Sequence, residues 1–96
     1  MADDDVAVAE RPERRRYEIE LDGELVGFLS YRLDAGVITH RHTEIDPAHG
    51  GRGLGSRLVR FALDDARARG LAVRPQCPFV AALIDRHPEY ADLVAR

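Results

Sequence analysis

From Arg16 onward apolar and polar residues alternate: Tyr17, Ile19 and Leu21 against Glu18, Glu20 and Asp22. Period two with one wet face predicts a strand at or near a sheet edge. Asp22-Gly23 follows, a pair that tolerates positive φ at both central positions of a tight hairpin turn. Residues 24–33 are apolar on both faces, Leu25, Leu29 and Leu33 against Val26 and Phe28, the pattern of a central strand covered on each side. Asp34-Ala35-Gly36 turns the chain into a third strand, residues 37–45. Strict alternation there puts Ile38, His40, His42 and Glu44 on one face and Val37, Thr39, Arg41, Thr43 and Ile45 on the other.

The period then changes. Asp46-Pro47 ends the strand, and after a glycine-rich stretch Leu54, Leu58, Phe61, Ala62 and Ala66 form the stripe of an amphipathic helix. Arg60/Asp64 and Asp65/Arg69 are i,i+4 pairs on its wet sides. Gly70 is placed to end it with positive φ. Residues 71–74 make a short strand cut off by Pro75, and a helix between it and the third strand implies a right-handed parallel crossover. A second helix runs from Phe79 to about Arg86, stopped by His87-Pro88, and a last turn follows. Phe79, Leu83 and Tyr90 are expected in the core. The expected fold class is α/β (α+β): antiparallel strands plus a parallel pair joined by a crossover helix, in one domain spanning residues 16–96. Residues 1–15, acidic and then arginine-rich, read as a flexible N-terminal arm.

Composition narrows the function classes. The 96 residues carry a net charge of −3, and aromatic side chains are only 6%. That disfavours nucleic acid and anionic membranes as partners. All 14 basic residues are arginine, which excludes a Schiff-base or P-loop lysine. A single cysteine, Cys77, excludes a disulfide framework. With no signal-like apolar run after Met1 and no window of membrane-spanning length, the expected location is cytoplasmic. A free sheet edge near Tyr17 leaves a monomer or a weak homodimer.

Two clusters carry chemistry. Gly50, Gly51, Gly53 and Gly55 crowd into six residues between strand and helix. Glycine is entropically costly, so the loop geometry needs positive φ or close backbone approach. The exposed N–H groups at the helix start, with the macrodipole, suit a phosphate or pyrophosphate, and Arg52 offers a guanidinium. The spacing fits neither a Walker loop nor the dinucleotide fingerprint; a tight structural turn is the plainer alternative. The second cluster is Cys77 beside His42 and Glu44. Cys77 lies at a strand end and directly before a helix, where the dipole lowers a thiol pKa. His42, on a parallel strand, is placed to meet it as base to nucleophile. A small buried hydrophobe is the plainer reading of Cys77. No metal site is expected, because His40, His42 and Glu44 lack a further ligand.

The glycine loop, His42-Thr43, and Pro75-Gln76-Cys77-Pro78-Phe79 with His87-Pro88 together resemble the short, roughly hundred-residue members of the GNAT superfamily of N-acyltransferases. The resemblance covers about residues 17–94. In the superfamily's pyrophosphate pattern Gly53 and Gly55 take the small-residue positions, and Gly50 stands where Gln or Arg is usual. The resemblance implies a truncated GNAT-like core lacking the first strand and early helices. It implies acetyl-CoA (CoA) as cofactor, held by Ile45, Gly50, Gly51, Arg52, Gly53, Leu54, Gly55, Ser56 and Phe79. It further implies acetyl transfer to an unidentified amine acceptor, either through an acyl-enzyme on Cys77 with His42 as base, or by direct attack with His42 or Glu44 as base. A non-catalytic acyl-CoA-binding or regulatory module is the alternative.

Overall fold

The computed structural model describes residues 5–95. Five strands lie in sequence order across one sheet: β1 (Val6–Arg11), β2 (Arg16–Leu21), β3 (Glu24–Asp34), β4 (Val37–Ile45) and β5 (Ala72–Pro75). β1 to β4 are antiparallel neighbours, and β5 runs parallel to β4 after the crossover helix α1 (Leu54–Ala68). A second helix, α2 (Pro78–Arg86), and a 3-10 turn (Pro88–Leu93) complete the chain. The turns follow the local chemistry. Asp22 and Gly23 have φ of 51° and 84°, Ala35 and Gly36 have 51° and 80°, so both hairpins close on two left-handed residues.

Both helices pack on one face of the sheet. Tyr17, Ile19, Leu29, Ile38 and Val73 from the strands meet Leu58, Val59, Ala62, Leu63 and Ala66 of α1 and Val80 and Leu83 of α2 in a single core. No helix among the described residues is long and apolar enough to cross a membrane.

The structure corrects five expectations. Residues 6–11 are not part of a flexible arm: Val6 and Val8 pair with Leu21 and Ile19 and pack on the core, so the sheet edge is β1, not β2. Residues 1–4 lie outside the described chain. A first strand is therefore present, and the 3-10 turn Pro12–Arg14 stands between it and β2. β3 is covered on one face only, leaving Leu25 exposed, while Leu33, on the helix side with its partner Ile38, is exposed near the end of the strand. On α1, Val59 and Leu63 are buried while Phe61 is 40% exposed, set edge-on to Tyr17 at the rim of the core. Arg60 turns to His87, 2.9 Å from its Nδ1, instead of to Asp64, whose carboxylate accepts the Tyr90 hydroxyl. The Asp65–Arg69 pair forms at 2.9 Å.

The fifth correction shapes the site. Ser30 pairs with His42 but Tyr31 pairs with His40, so Arg41 is an extra residue in β4, a β-bulge. Alternation slips by one position across it. Ile38 and His40 face the helices; beyond the bulge Thr43 and Ile45 do so, partnered with Leu29 and Gly27. His42 and Glu44 consequently point to the open face, away from His40.

Candidate functional site

β4 and β5 stay paired only from Val37/Ala72 to His40/Pro75. There Pro75 withholds an N–H and the chain bends away into α2, anchored by the Cys77 N–H donating to the His40 carbonyl at 2.9 Å. The rest of β4, Arg41 to Ile45, continues without a partner on that side. A fork results, with Cys77 at its vertex, α2 along one arm and the end of β4 along the other.

Cys77 is the N-cap of α2 and is almost fully buried. Its sulfur lies 3.3 Å from the Thr43 hydroxyl. Burial pushes the thiol pKa up, but hydrogen bonds from the Thr43 side chain and from the backbone N–H groups of Val80, Phe79 and Thr43 outweigh it, and the pKa falls below the usual thiol value. His42 does not meet this sulfur. It stands on the open face, its Nε2 3.4 Å from Glu44 Oε2 and its ring 6.0 Å from that of Phe28, both side chains well exposed. The bulge at Arg41 is the reason: without it, His42 and not Thr43 would share the face of Cys77.

The glycine loop lies at the open end of the fork. A cavity of about 260 Å³ is lined by Ile45, His49, Gly50, Gly51, Gly53, Leu54, Gly55, Ser56 and Phe79. Eight of the expected cofactor residues thus converge on one hollow; Arg52 is exposed and not among its lining residues. Gly53, with φ of 75°, caps α1 in a left-handed conformation, and the first N–H groups of the helix have no intrahelical partner. Gly55 is needed for space. A Cβ there would come within 2.9 Å of the Phe79 ring, which closes the far wall. Phe79 is accordingly 39% exposed and not a core residue. Gly50 is extended, and a Cβ on it would meet only the Pro47 carbonyl at 3.5 Å, so a side chain fits where the superfamily carries Gln or Arg.

Two groups escaped the sequence reading. His49 lines the cavity with a buried Nδ1 that has no hydrogen-bond partner. Thr43 touches the thiol because of a bulge that no residue type announces. His40 is fully buried with both ring nitrogens unpartnered, and burial lowers its pKa to about 4, so it is neutral.

A family model of GCN5-related N-acetyl-transferases matches residues 16–93. The chain belongs to this family. Among solved structures, it resembles a GCN5-like N-acetyltransferase candidate from Staphylococcus aureus, with a TM-score of 0.71 at 21% identity over 93% of this chain and 87% of that one. It also resembles the ribosomal-protein-alanine N-acetyltransferase of Brucella melitensis biovar Abortus 2308, with a TM-score of 0.60 at 23% identity over 84% of this chain and 61% of that one. A GNAT family acetyltransferase of Brucella melitensis in complex with acetyl-CoA matches with a TM-score of 0.52 at 24% identity, over 58% of this chain and 40% of the other. No curated protein sequence matches. The fold of this GNAT chain is thus shared with proteins both of similar size and considerably longer.

Proposed function

We propose that this GNAT protein transfers an acetyl group from acetyl-CoA to an amine, with the cofactor lying along the fork between β4 and β5. The observation that carries the reading is the hollow formed by the glycine cradle with Ile45 and Phe79, set at the unpartnered end of β4, whose Thr43 touches the Cys77 thiol. Gly51, Gly53 and the first turn of α1 would hold the pyrophosphate through backbone N–H groups, with His49 as an added donor. The free edge of β4 beyond His40 offers backbone hydrogen bonds to the pantetheine amides. Ile45 and Phe79 wall the hollow.

Cys77 acts at the vertex. Its lowered pKa and the Thr43 hydrogen bond support a thiolate that attacks the acetyl carbonyl: an S–C bond forms, the bond from that carbon to the CoA sulfur breaks, and CoA leaves as a thiolate that takes up a proton. The amine nitrogen then attacks the Cys77 thioester, the S–C bond breaks, and the proton lost by nitrogen goes to His42, which Glu44 steadies on the open face. The burial of Cys77 favours a second reading. In it the amine attacks the acetyl-CoA carbonyl directly, His42 or Glu44 takes its proton, and the Cys77 thiol protonates the departing CoA sulfur. In both readings His42 and Cys77 serve different atoms from opposite faces of β4.

Intact-mass spectrometry of the full chain with acetyl-CoA, beside Cys77→Ala, tests this. An adduct of about 42 Da confined to the cysteine-bearing protein supports the acyl-enzyme. Stabilisation by CoA without an adduct, with amine-dependent CoA release, supports direct transfer. Stabilisation without turnover by either protein marks a binding or regulatory module. No adduct and no stabilisation at millimolar CoA would refute the cofactor reading.

A further inference from the structure

The open face of the sheet opposite the helices carries a basic site of its own. Arg32 on β3 pairs with Thr39 on β4, and Thr39 pairs with Arg74 on β5, so the three side chains stand in one row across three strands. Arg41, the bulge residue, and Gln76, the neighbour of Cys77, line one cavity of about 490 Å³ with that row, together with Asp34, Ala35 and Val37. The size suits a small molecule.

Its charge stands against that of the whole chain. Several arginines elsewhere are matched with acids: Arg14 and Arg16 hold Glu18, Arg67 holds Asp92, and Arg69 holds Asp65 and Glu10. In this cavity the one carboxylate is Asp34, 4.0 Å from Arg32 and largely exposed. Among the described residues Arg41 and Arg74 have no carboxylate within ion-pair distance. Three guanidiniums are gathered on one concave face of a protein with a net charge of −3. Their planar donor forks match carboxylate and phosphate oxygens.

The position gives the site a meaning. Thr39 precedes His40, whose carbonyl anchors Cys77, and Gln76 precedes Cys77, so the basic row lies behind the vertex of the fork on the side of His42. We infer that this face binds the acetyl acceptor, and that the acceptor is an amine carrying an anionic group, a carboxylate or a phosphate. The anion sits against Arg32, Arg74 and Arg41, and the amine extends toward the fork. The inference rests on the proposed acetyl transfer for its biological sense, but the anion site is testable alone.

Chemical-shift titration of the ¹⁵N-labelled full chain, with and without saturating CoA, uses two matched pairs of probes. These are 4-aminobutyrate against n-butylamine for the carboxylate, and O-phosphoethanolamine against ethanolamine for the phosphate. The expected result is saturable movement of the Arg32 and Arg74 guanidinium signals and the Thr39 amide by an anionic member, and none by its match. The responding pair identifies the anion. Arg32→Gln with Arg74→Gln weakens that binding about tenfold, as loss of charge-assisted hydrogen bonds requires, and leaves the Kd for CoA unchanged. Rising NaCl weakens it as well. Equal response to both members of each pair, or no saturable response to either anion, overturns the inference. Failure to bind CoA would instead sink the acetyl-transfer reading, and the titration of the CoA-free chain would still decide the anion site.

Discussion

The Thr43 hydroxyl, 3.3 Å from the Cys77 sulfur, is a contact through which one atom sets the state of another. In Thr43→Val the methyl keeps the volume while the hydrogen bond goes, so the thiol pKa is expected to rise. The pH dependence of alkylation by iodoacetamide reads this directly: its midpoint moves up in the variant, and an unmoved midpoint would leave the backbone N–H groups as the whole cause. His40 makes a second residue-scale prediction. The folded chain holds it neutral down to about pH 4, whereas the unfolded chain protonates it near the ordinary 6.5. Below 6.5 the unfolded state therefore binds the extra proton, and stability declines as pH falls toward 4, by a total on the order of 3 kcal/mol. Glu18, with its pKa lowered, loses its arginine pairing only further into acid. Urea denaturation between pH 6.5 and 5 thus isolates the histidine, and His40→Leu should flatten the slope. Neither residue's role was legible beforehand. His40 and Thr43 were assigned to opposite faces by unbroken alternation, and Arg41 carries no mark of the bulge that puts them on the same one.

Elements were more legible than their faces. Both two-residue hairpins were written in Asp-Gly and Ala-Gly, and α1 in its spacing of leucine and alanine, because those signals act within a few residues. β1 was hidden by its setting: Val6 and Val8 do alternate, but with small alanines between acidic and arginine-rich flanks, and only pairing with β2 gives them a core to join. The glycine loop reads well at this scale, since each glycine has its own reason. Gly53→Ala puts a Cβ in a left-handed cap and is expected to cost about 1 kcal/mol of stability with little steric effect on the cavity. Gly55→Ala sits in ordinary helix, but its methyl presses on the Phe79 ring. Phe79 can swing outward, so stability should change little while the Kd for CoA rises. Thermal unfolding with and without CoA separates the two, and equal behaviour of both variants would speak against a cradle shaped by Phe79.

At the scale of the whole molecule, the sheet is a wall with helices on one side, and its first strand is part of the wall. Removing residues 1–11 strips the core of Val6 and Val8, takes Glu10 from Tyr31 and Arg69, and opens the edge of β2. A loss of about 2–4 kcal/mol in urea denaturation is expected, together with concentration-dependent association through the bared edge. An unaltered midpoint would show β1 to be dispensable. The architecture itself was readable from the chain, as order and polarity of strands follow from hairpins and a crossover; which side each face of β4 served was not, because that depends on a single inserted position. In the language of reading frames, Arg41 is a plus-one insertion in a two-letter code: ahead of it even-numbered residues face the helices, and behind it odd-numbered ones. Deleting that one codon would restore simple alternation without turning any side chain over: His40, Thr43 and Ile45 would stay on the helix side, and His42 and Glu44 on the open side. The inserted position is thus what lets an even-numbered and an odd-numbered residue, His40 and Thr43, serve the same side of the wall.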